Sequence, residues 1–288
     1  MKSLINIVDK KLDEYMQIVY PEDIFKAMKY TLMLPGKRLR PIMCIETAKI
    51  LGCNIEKVLP SACAIEMLHV QSLIHDDLPC MDNDDFRRGQ PSNHKVFGEA
   101  NAVLAGDALL TFAPQLIIEK SKDLTAEQIV KIIHEFTKFA GAYGLIAGQV
   151  VDIESEGGKL VKSPEETLDF IHLNKTAVLF RLAVRIGAIC AGADENKISE
   201  FDDFATKFGL AFQIYDDIMD EISSFEELGK SIGKDKASGK LTYVSLYGMD
   251  VAKDKFNKLI KECYGIIEKY NSEIFNEILN KLQKRISE

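Results

Sequence analysis

The 288-residue sequence lacks several patterns that would place it in a specialised class of protein. No run of about 18 apolar residues occurs, which argues against a membrane span. The N-terminus, MKSLINIVDKKLDEYM, is interrupted by charge and does not resemble a signal peptide. The six cysteines contain no CxxC pair. We therefore expect buried, reduced thiols in a cytoplasmic protein.

An excess of basic residues is also missing. Lysine and arginine total 36 against 44 aspartates and glutamates, so the formal net charge is −8. Proteins that bind nucleic acid normally carry a basic excess that neutralises phosphates, and this balance argues against that class. Taken alone, the negative charge argues against small anionic substrates as well.

Strand signals and helix-breaking residues are few. Only 8 prolines occur, and no series of alternating apolar residues indicates β-strands. Apolar residues instead recur with the helical period, as in Phe201, Phe204 and Phe208. We predict one all-α domain over residues 1–288. The predicted helices cover about 3–19, 22–33, 41–51, 57–76, 100–119, 126–148, 164–191, 199–222, 240–248, 251–269 and 272–286.

Two clusters of aspartates stand out. Five carboxylates lie within the segment DDLPCMDNDD at 76–85, where Pro79 ends the preceding helix. Its first two aspartates then occupy the last helical turn, where the helix dipole disfavours negative charge. In the second cluster, Asp216 and Asp220 lie four residues apart on one helical face. Clustered oxygen ligands fit Mg²⁺ shared with substrate phosphates, although a single aspartate pair is more often a solvated helix end.

Basic side chains occur at further distinct places. The loop GKRLRP at 36–41 enters a helix N-terminus, a site that favours anions, and RRG at 87–89 follows the first aspartate cluster. A cation and a hydroxyl at 175–176 interrupt an apolar helix. The segment 229–240 resembles a mobile lid and is not a Walker A motif. Solvated turns, salt bridges and, for His69, an ordinary core position are the alternatives.

Together these segments resemble the trans-prenyl diphosphate synthases, the family of farnesyl and geranylgeranyl diphosphate synthases. SLIHDDLPCMDNDDFRRG at 72–89 matches the first aspartate-rich motif of that family in its DDxxxxD form, and FQIYDDIMD at 212–220 is similar to the second. The resemblance extends from Gly36 to Lys240. It implies an all-α orthogonal bundle around a deep central cavity, in a homodimer that needs Mg²⁺.

The resemblance also implies roles for individual side chains. Three Mg²⁺ ions would bind to the metal ligands Asp76, Asp82 and Asp216. The catalytic residues would be these three aspartates together with Lys175 and Lys230. The allylic diphosphate would be held by Arg87, Lys175, Thr176, Gln213, Lys230 and Lys240. Isopentenyl diphosphate would be held by Lys37, Arg40, His69 and Arg88.

The implied reaction is the head-to-tail condensation of isopentenyl diphosphate with dimethylallyl or geranyl diphosphate. The allylic carbon–oxygen bond ionises, metal and cationic side chains stabilise the leaving diphosphate, and the alkene attacks before a proton is lost. The site must exclude water, and we expect the segment 223–239 to close it. Bound metal also explains how an acidic protein takes an anionic substrate.

Product length depends on the depth of the cavity beneath Asp76. Gln71 and Ser72 lie about one helical turn further down, and neither is an aromatic residue that would plug the cavity. Phe112, on the next helix, is a candidate floor. We favour farnesyl diphosphate as the product, with geranylgeranyl diphosphate as the alternative. A terpene cyclase, which would not need the basic loop at 36–41, and a non-catalytic synthase subunit are weaker alternatives.

Overall fold

The computed structural model describes residues 1–156, 158–222 and 240–287. Nearly all of this part of the chain is helical, which confirms the all-α prediction. Among the described residues, the strands are limited to Phe86–Arg87 and Gln90–Pro91, which pair as one antiparallel hairpin.

The helices follow one another with short connections. Those before the second half of the chain are α1 (Lys2–Tyr15), α2 (Glu22–Leu32), α3 (Leu39–Ile50), α4 (Ile55–Asp76), α5 (Asn93–Phe97), α6 (Glu99–Lys120) and α7 (Ala126–Ala140). The remainder are α8 (Leu145–Glu156), α9 (Pro164–Ile171), a π-helix (His172–Ala177), α10 (Val178–Cys190), α11 (Glu195–Ile222), α12 (Tyr243–Tyr247), α13 (Met249–Ile267), a 3₁₀ turn (Glu268–Tyr270) and α14 (Glu273–Ser287).

Local sequence sets several helix starts. At α9, the Glu166 backbone N–H donates to Ser163 Oγ at 3.2 Å, and the Ser163 N–H donates to Glu166 Oε2 at 3.3 Å. Thr125 and Gln128 form the same reciprocal pair at α7. These bonds satisfy backbone groups that have no partner inside the helix, so each start lies at the residue that the sequence indicates.

Two long predicted helices are interrupted. The segment 126–148 is divided by a turn at 141–144 that contains two glycines. The segment 164–191 is continuous in direction but contains the π-helix at 172–177. Apolar periodicity misses both features, because a short turn or one added residue leaves the pattern on each side intact.

The core is built around α4 and α10. α4 packs along α6, and α10 packs against α3 and α11. Burial of apolar surface is the main source of stability, and each fully buried phenylalanine contributes about 1.5–3 kcal/mol. The phenylalanines with almost no exposed surface are Phe136, Phe180, Phe201, Phe204, Phe208, Phe256 and Phe275. Because α10 contacts both α4 and α11, this packing fixes their positions relative to each other.

Helix α6 is the one described helix that is long and apolar enough to cross a membrane, judged by length and composition alone. Its mean hydropathy reaches 1.4, and 39% of the apolar window is buried, because α6 packs along α4. Core helices pass the same test, so this is weak evidence against the predicted absence of a span. Val103, Leu104 and Ile118 remain exposed on α6. The predicted cytoplasmic location stays a prediction.

α10 approaches α3 closely at Gly187. A Cβ atom at this position would overlap the Cys44 carbonyl oxygen and lie 3.1 Å from the Thr47 Cβ. We expect Gly187→Ala to lower the free energy of unfolding by about 1–3 kcal/mol, because overpacking forces the two backbones apart.

Gly265→Ala on α13 is the matched control, since nothing lies within 4 Å of its added Cβ atom. It should be neutral or stabilising by up to about 1 kcal/mol, because alanine is the better helix former. Urea denaturation measures both variants, and equal effects would contradict the steric explanation.

Candidate active site

One cavity of about 820 Å³ lies between the C-terminal half of α4, α6, α8, the π-helix and α11. Its size is that of a small-molecule site. The predicted residues that line it are Arg40, His69, Asp76, Arg87, Arg88, Lys175, Thr176, Gln213 and Asp216. Much of the remaining wall is apolar, with Leu110, Leu145, Ile146, Val150 and Ile153. Lys230 and the predicted closing segment 223–239 lie outside the described residues.

Two of the predicted metal ligands face this cavity from different helices. Asp76 is the last residue of α4, and Asp216 lies on α11. Burial raises the pKa of Asp76 to about 6, and the neighbouring charge of Asp82 acts in the same direction. Asp82 is exposed on the following loop, where its backbone N–H donates to the Asp76 carbonyl oxygen at 2.8 Å.

These acidic residues do not form a closed metal cage. Among the described residues, no three histidine, cysteine or acidic side chains converge closely enough to hold a metal ion by themselves. Mg²⁺ is commonly held by one or two carboxylates, and water and phosphate oxygens complete its shell. The open arrangement, with a buried carboxylate whose negative charge is disfavoured, therefore fits Mg²⁺ that binds together with a phosphate ligand.

Arg87 forms salt bridges with the first aspartate cluster and also lines the cavity. Its Nε donates to Asp77 Oδ1 at 2.9 Å, its Nη2 also contacts that oxygen, and its Nη2 lies 3.6 Å from Asp84 Oδ2. Asp77 is completely buried. Arg87 nevertheless lines the cavity. Salt bridges thus hold a guanidinium at the cavity edge, where the sequence analysis placed a diphosphate contact.

The predicted isopentenyl diphosphate residues surround a basic pocket. Lys37, Arg40, His69 and Arg88 line a volume of about 290 Å³. Arg40 Nη1 lies 3.3 Å from His69 Nε2, and the Arg40 guanidinium lies 4.6 Å from the centre of the Phe180 ring.

Burial dominates the electrostatics of this pocket. It lowers the pKa of Arg40 to about 10 and, together with the Arg40 charge, holds the pKa of His69 well below its usual value. His69 is therefore neutral at pH 7. Arg40 Nε is buried and has no hydrogen-bond partner among the described residues. Such a donor in a cationic pocket favours an anionic ligand.

Arg38 and Glu66 support this pocket, and the sequence analysis missed their roles. The Arg38 side chain points into the core, 1% exposed, and donates to Asp9 Oδ1 at 2.8 Å and Glu66 Oε1 at 2.7 Å. Glu66 Oε1 also lies 3.9 Å from Arg88 Nη2. A buried carboxylate thus joins the basic loop to the RRG segment. The three cationic residues of KRLR do not show from the sequence which of them is buried.

Asp152 on α8 is a second residue that the sequence analysis missed. Its buried carboxylate pairs with Lys175, and its Oδ2 lies 3.6 Å from Lys240 Nζ, which is also 3.5 Å from Glu156 Oε1. Although burial opposes it, the charge of Lys175 and Lys240 holds the pKa of Asp152 below its usual value. A carboxylate in the apolar stretch LIAGQVVDI was the signal available in the sequence.

The π-helix presents two adjacent predicted residues to the cavity. Lys175 and Thr176 both line it, and the Thr176 hydroxyl donates to Gln213 Oε1 on α11. Gly148 lets α8 approach closely, because a Cβ atom there would overlap the backbone of Asn174 and Lys175. Short π-helical turns inside α-helices are frequent at functional sites.

Comparison with known proteins agrees with this geometry. The profile of the polyprenyl synthetase family matches residues 21–282. The chain is 46% identical to the chloroplastic geranylgeranyl pyrophosphate synthase of Catharanthus roseus, over 93% of this chain and 74% of that protein. The chain therefore belongs to the polyprenyl synthetase family, which confirms the resemblance to trans-prenyl diphosphate synthases.

Solved structures share the fold. The geranyltranstransferase of Thermotoga maritima matches with a TM-score of 0.83 and 33% identity, over 98% of this chain and 97% of the other. A geranyltransferase from Helicobacter pylori, complexed with magnesium and isoprenyl diphosphate, also matches with a TM-score of 0.83, at 30% identity over 99% of this chain and 96% of the other. The isoprenoid synthase fold expected from the sequence is confirmed.

Proposed function

We propose that this protein condenses isopentenyl diphosphate head-to-tail with an allylic diphosphate in a Mg²⁺-dependent reaction. One observation carries the proposal. Two of the predicted metal ligands, Asp76 and Asp216, line a cavity with an apolar wall, and a basic pocket adjoins that cavity. A condensing enzyme must hold two diphosphates apart while it brings their hydrocarbon ends together. A terpene cyclase has a single diphosphate substrate and would not need the second pocket.

Each group of side chains has a defined task in this reaction. Asp76, Asp82 and Asp216 would hold Mg²⁺, which when bound supplies Lewis-acid stabilisation of the leaving diphosphate; that three ions bind stays a prediction. The allylic diphosphate would meet the cationic and hydroxyl side chains beside the π-helix. The basic pocket would hold isopentenyl diphosphate. The apolar wall excludes water from the allylic cation, and the protein orients the alkene towards it.

No protein nucleophile is needed. Cleavage of the allylic carbon–oxygen bond leaves a carbocation and a diphosphate. Arg87 and Lys175, which line the cavity, and the neighbouring Lys240 would stabilise the negative charge that develops on the diphosphate. The alkene of isopentenyl diphosphate forms the new carbon–carbon bond, and the released diphosphate accepts the proton that is then lost. The side chains that hold the diphosphate are therefore those that lower the barrier.

Geranylgeranyl diphosphate is the product that we propose, rather than the farnesyl diphosphate favoured from the sequence. Gln71 and Ser72 line the cavity, and neither is aromatic. Phe112, the candidate floor, is not among the side chains that line the cavity and packs against the core, so it does not support an early end to elongation. The similarity to a plant geranylgeranyl pyrophosphate synthase points the same way.

An assay of product length tests both the reaction and this choice. The protein, Mg²⁺, radiolabelled isopentenyl diphosphate and geranyl diphosphate should yield mainly a C20 product, because Gln71 and Ser72, the cavity residues about one turn below Asp76, are not aromatic. Chromatography of the dephosphorylated products measures the chain length. A dominant C15 product would overturn the geranylgeranyl proposal, and no condensation at all would overturn the proposed reaction.

Ser72→Phe is the matching variant. A phenylalanine one turn below Asp76 would occupy the cavity and should move the main product from C20 to C15. Ser72→Ala keeps the space open and should retain the C20 product. An unchanged product from Ser72→Phe would show that the chain passes along a different wall.

The pKa of Asp76 predicts a pH dependence of metal binding. A carboxyl whose pKa is about 6 is mostly ionised above that pH and protonated below it, and only the ionised form binds a hard cation. Mn²⁺, used alone as a paramagnetic substitute for Mg²⁺, should bind roughly tenfold more weakly at pH 5 than at pH 7. Electron paramagnetic resonance of free Mn²⁺ measures this.

Asp76→Asn is the control for this experiment. The variant should bind Mn²⁺ weakly at both pH values, because its amide cannot ionise. Equal affinity of the unmodified protein at pH 5 and pH 7 would contradict a metal ligand with a raised pKa.

We also propose that two copies associate through α6. Val103, Leu104 and Ile118 are exposed on this helix, with exposed fractions of 40%, 55% and 59%. Val103 and Leu104 are adjacent, and exposed apolar side chains grouped on a helix are typical of protein contact surfaces. A second copy of the same chain would cover them across a twofold axis, as in most soluble oligomers.

Substitution of Leu104 tests this homodimer. Leu104→Asp should convert a dimer into a monomer, because the interface would then contain an unpaired buried charge. Val251→Asp, on α13 with 49% exposure, is the matched control and should leave the dimer intact. Analytical ultracentrifugation measures the mass, and a monomeric unmodified protein would contradict the proposal.

A further inference from the structure

The second aspartate of the FQIYDDIMD segment lies away from the cavity. Asp216 lines the cavity, whereas Asp217 does not and is only 4% exposed. Neighbouring residues on a helix point about 100° apart, and here that rotation turns Asp217 away from the cavity that Asp216 lines. Asp217 therefore needs a different explanation from the metal ligand beside it.

Three separate elements meet at the Asp217 carboxylate. Gln213 Nε2, one turn earlier on α11, donates to Oδ1 at 2.9 Å. The Tyr243 backbone N–H, at the start of α12, donates to Oδ2 at 2.7 Å. His172 Nε2, in the first turn of the π-helix, lies 3.5 Å from Oδ2. A buried carboxylate with donors on two oxygens is well compensated.

Each contact adjoins a residue of the allylic diphosphate site. Gln213 accepts the hydroxyl hydrogen bond of Thr176. His172 precedes Lys175 by three residues within the same π-helix, and Tyr243 follows Lys240 by three residues. Asp217 thus joins the backbone segments that carry two lysines and a threonine of this site, without reaching the cavity itself.

The chemistry of Asp217 also fixes the direction of a hydrogen-bond chain. An ionised carboxylate only accepts, so the Gln213 amide must turn its NH₂ group towards Asp217. Its carbonyl oxygen then faces Thr176, whose hydroxyl must donate to it. The Thr176 oxygen lone pairs and the Gln213 amide plane are thereby set before any substrate binds.

We propose that Asp217 is a positioning residue for the allylic diphosphate site. It orients the Gln213 amide and Thr176 hydroxyl, and it holds the π-helix and the start of α12 at the distance that places Lys175 and Lys240 together. This inference rests on the proposed function. It separates the two neighbouring aspartates, since Asp216 acts on the metal and Asp217 acts on the side chains that surround the diphosphate.

Asp217→Asn tests the proposal with almost no change in shape. The asparagine oxygen keeps the Tyr243 bond, but its NH₂ group faces the Gln213 NH₂ group and forces that amide to turn over. We expect the KM for geranyl diphosphate to rise about tenfold or more, the scale of one lost charge-assisted bond. The KM for isopentenyl diphosphate and the affinity for Mn²⁺ should stay within twofold.

Gln213→Glu in the same chain is the rescue. In Gln213→Glu/Asp217→Asn, the new carboxylate accepts from both the asparagine NH₂ group and the Thr176 hydroxyl, while the asparagine oxygen accepts from Tyr243. Because Gln213 is itself a predicted contact of the diphosphate, the KM for geranyl diphosphate should fall below that of either single variant rather than return to the unmodified value. Gln213→Glu alone places two carboxylates together and should be impaired, so the double-mutant cycle isolates the coupling.

Outcomes that overturn the inference are distinct from those that overturn the function. An unmodified protein without condensation activity refutes the proposed function, and calorimetric binding of geranyl diphosphate with Mn²⁺ then replaces KM as the measure for the variants. An unchanged value for Asp217→Asn, an equal loss for both substrates, or a double variant that is not rescued overturns the positioning role. If Asp217→Asn does not fold, the double variant decides: rescue supports the proposal, and failure refutes it.

Discussion

Charge that is removed from water must be compensated, and this constraint organises the whole cavity. Asp152 is compensated by Lys175 and Lys240, and Asp77 by Arg87. A buried charge without a partner costs several kcal/mol, so such pairs are kept together by the packing around them. Burial raises the pKa of Asp76 to about 6 despite the neighbouring Lys175 and Arg87, and the Arg40 Nε lacks a hydrogen-bond partner among the described residues. These are the places where a cation and an anion would complete the site.

The helical frame makes this arrangement rigid before a ligand arrives. α4 is one mostly buried helix that supplies Asp76, His69 and the supporting Glu66, while the π-helix and α11 supply the opposite wall. Side chains held by packing do not have to reorganise as charge develops on a leaving group, and this preorganisation is the larger part of electrostatic catalysis. Under the proposed function, buried carboxylates such as Asp152 would therefore support catalysis without touching substrate.

Sequence reasoning predicted the helices and their caps, because capping and helical periodicity are local. Nine of the predicted site residues line one cavity, because the aspartate motifs are compact, and their roles stay predictions. It missed what depends on tertiary packing. Arg38 and Arg40 are two residues apart, yet only Arg40 lines the cavity. Phe112 was a candidate floor but does not line the cavity, whereas Asp152 was not singled out and pairs with Lys175. Both positions depend on how α6 and α8 pack. The residue types were readable, but their orientation depends on distant partners.

The π-helix at 172–177 has a consequence for how this fold tolerates change in length. A π turn contains one residue more than an α turn, so α9 and α10 are out of step by about 100° around their common axis. Deleting a single residue here would restore a regular helix and rotate α10 as a whole. Arg181 and Arg185 would then leave Asp202 and Glu135, and the apolar face of α10 would leave the core. The extra residue therefore lets Lys175 and Thr176 face the cavity while the apolar face of α10 stays in the core.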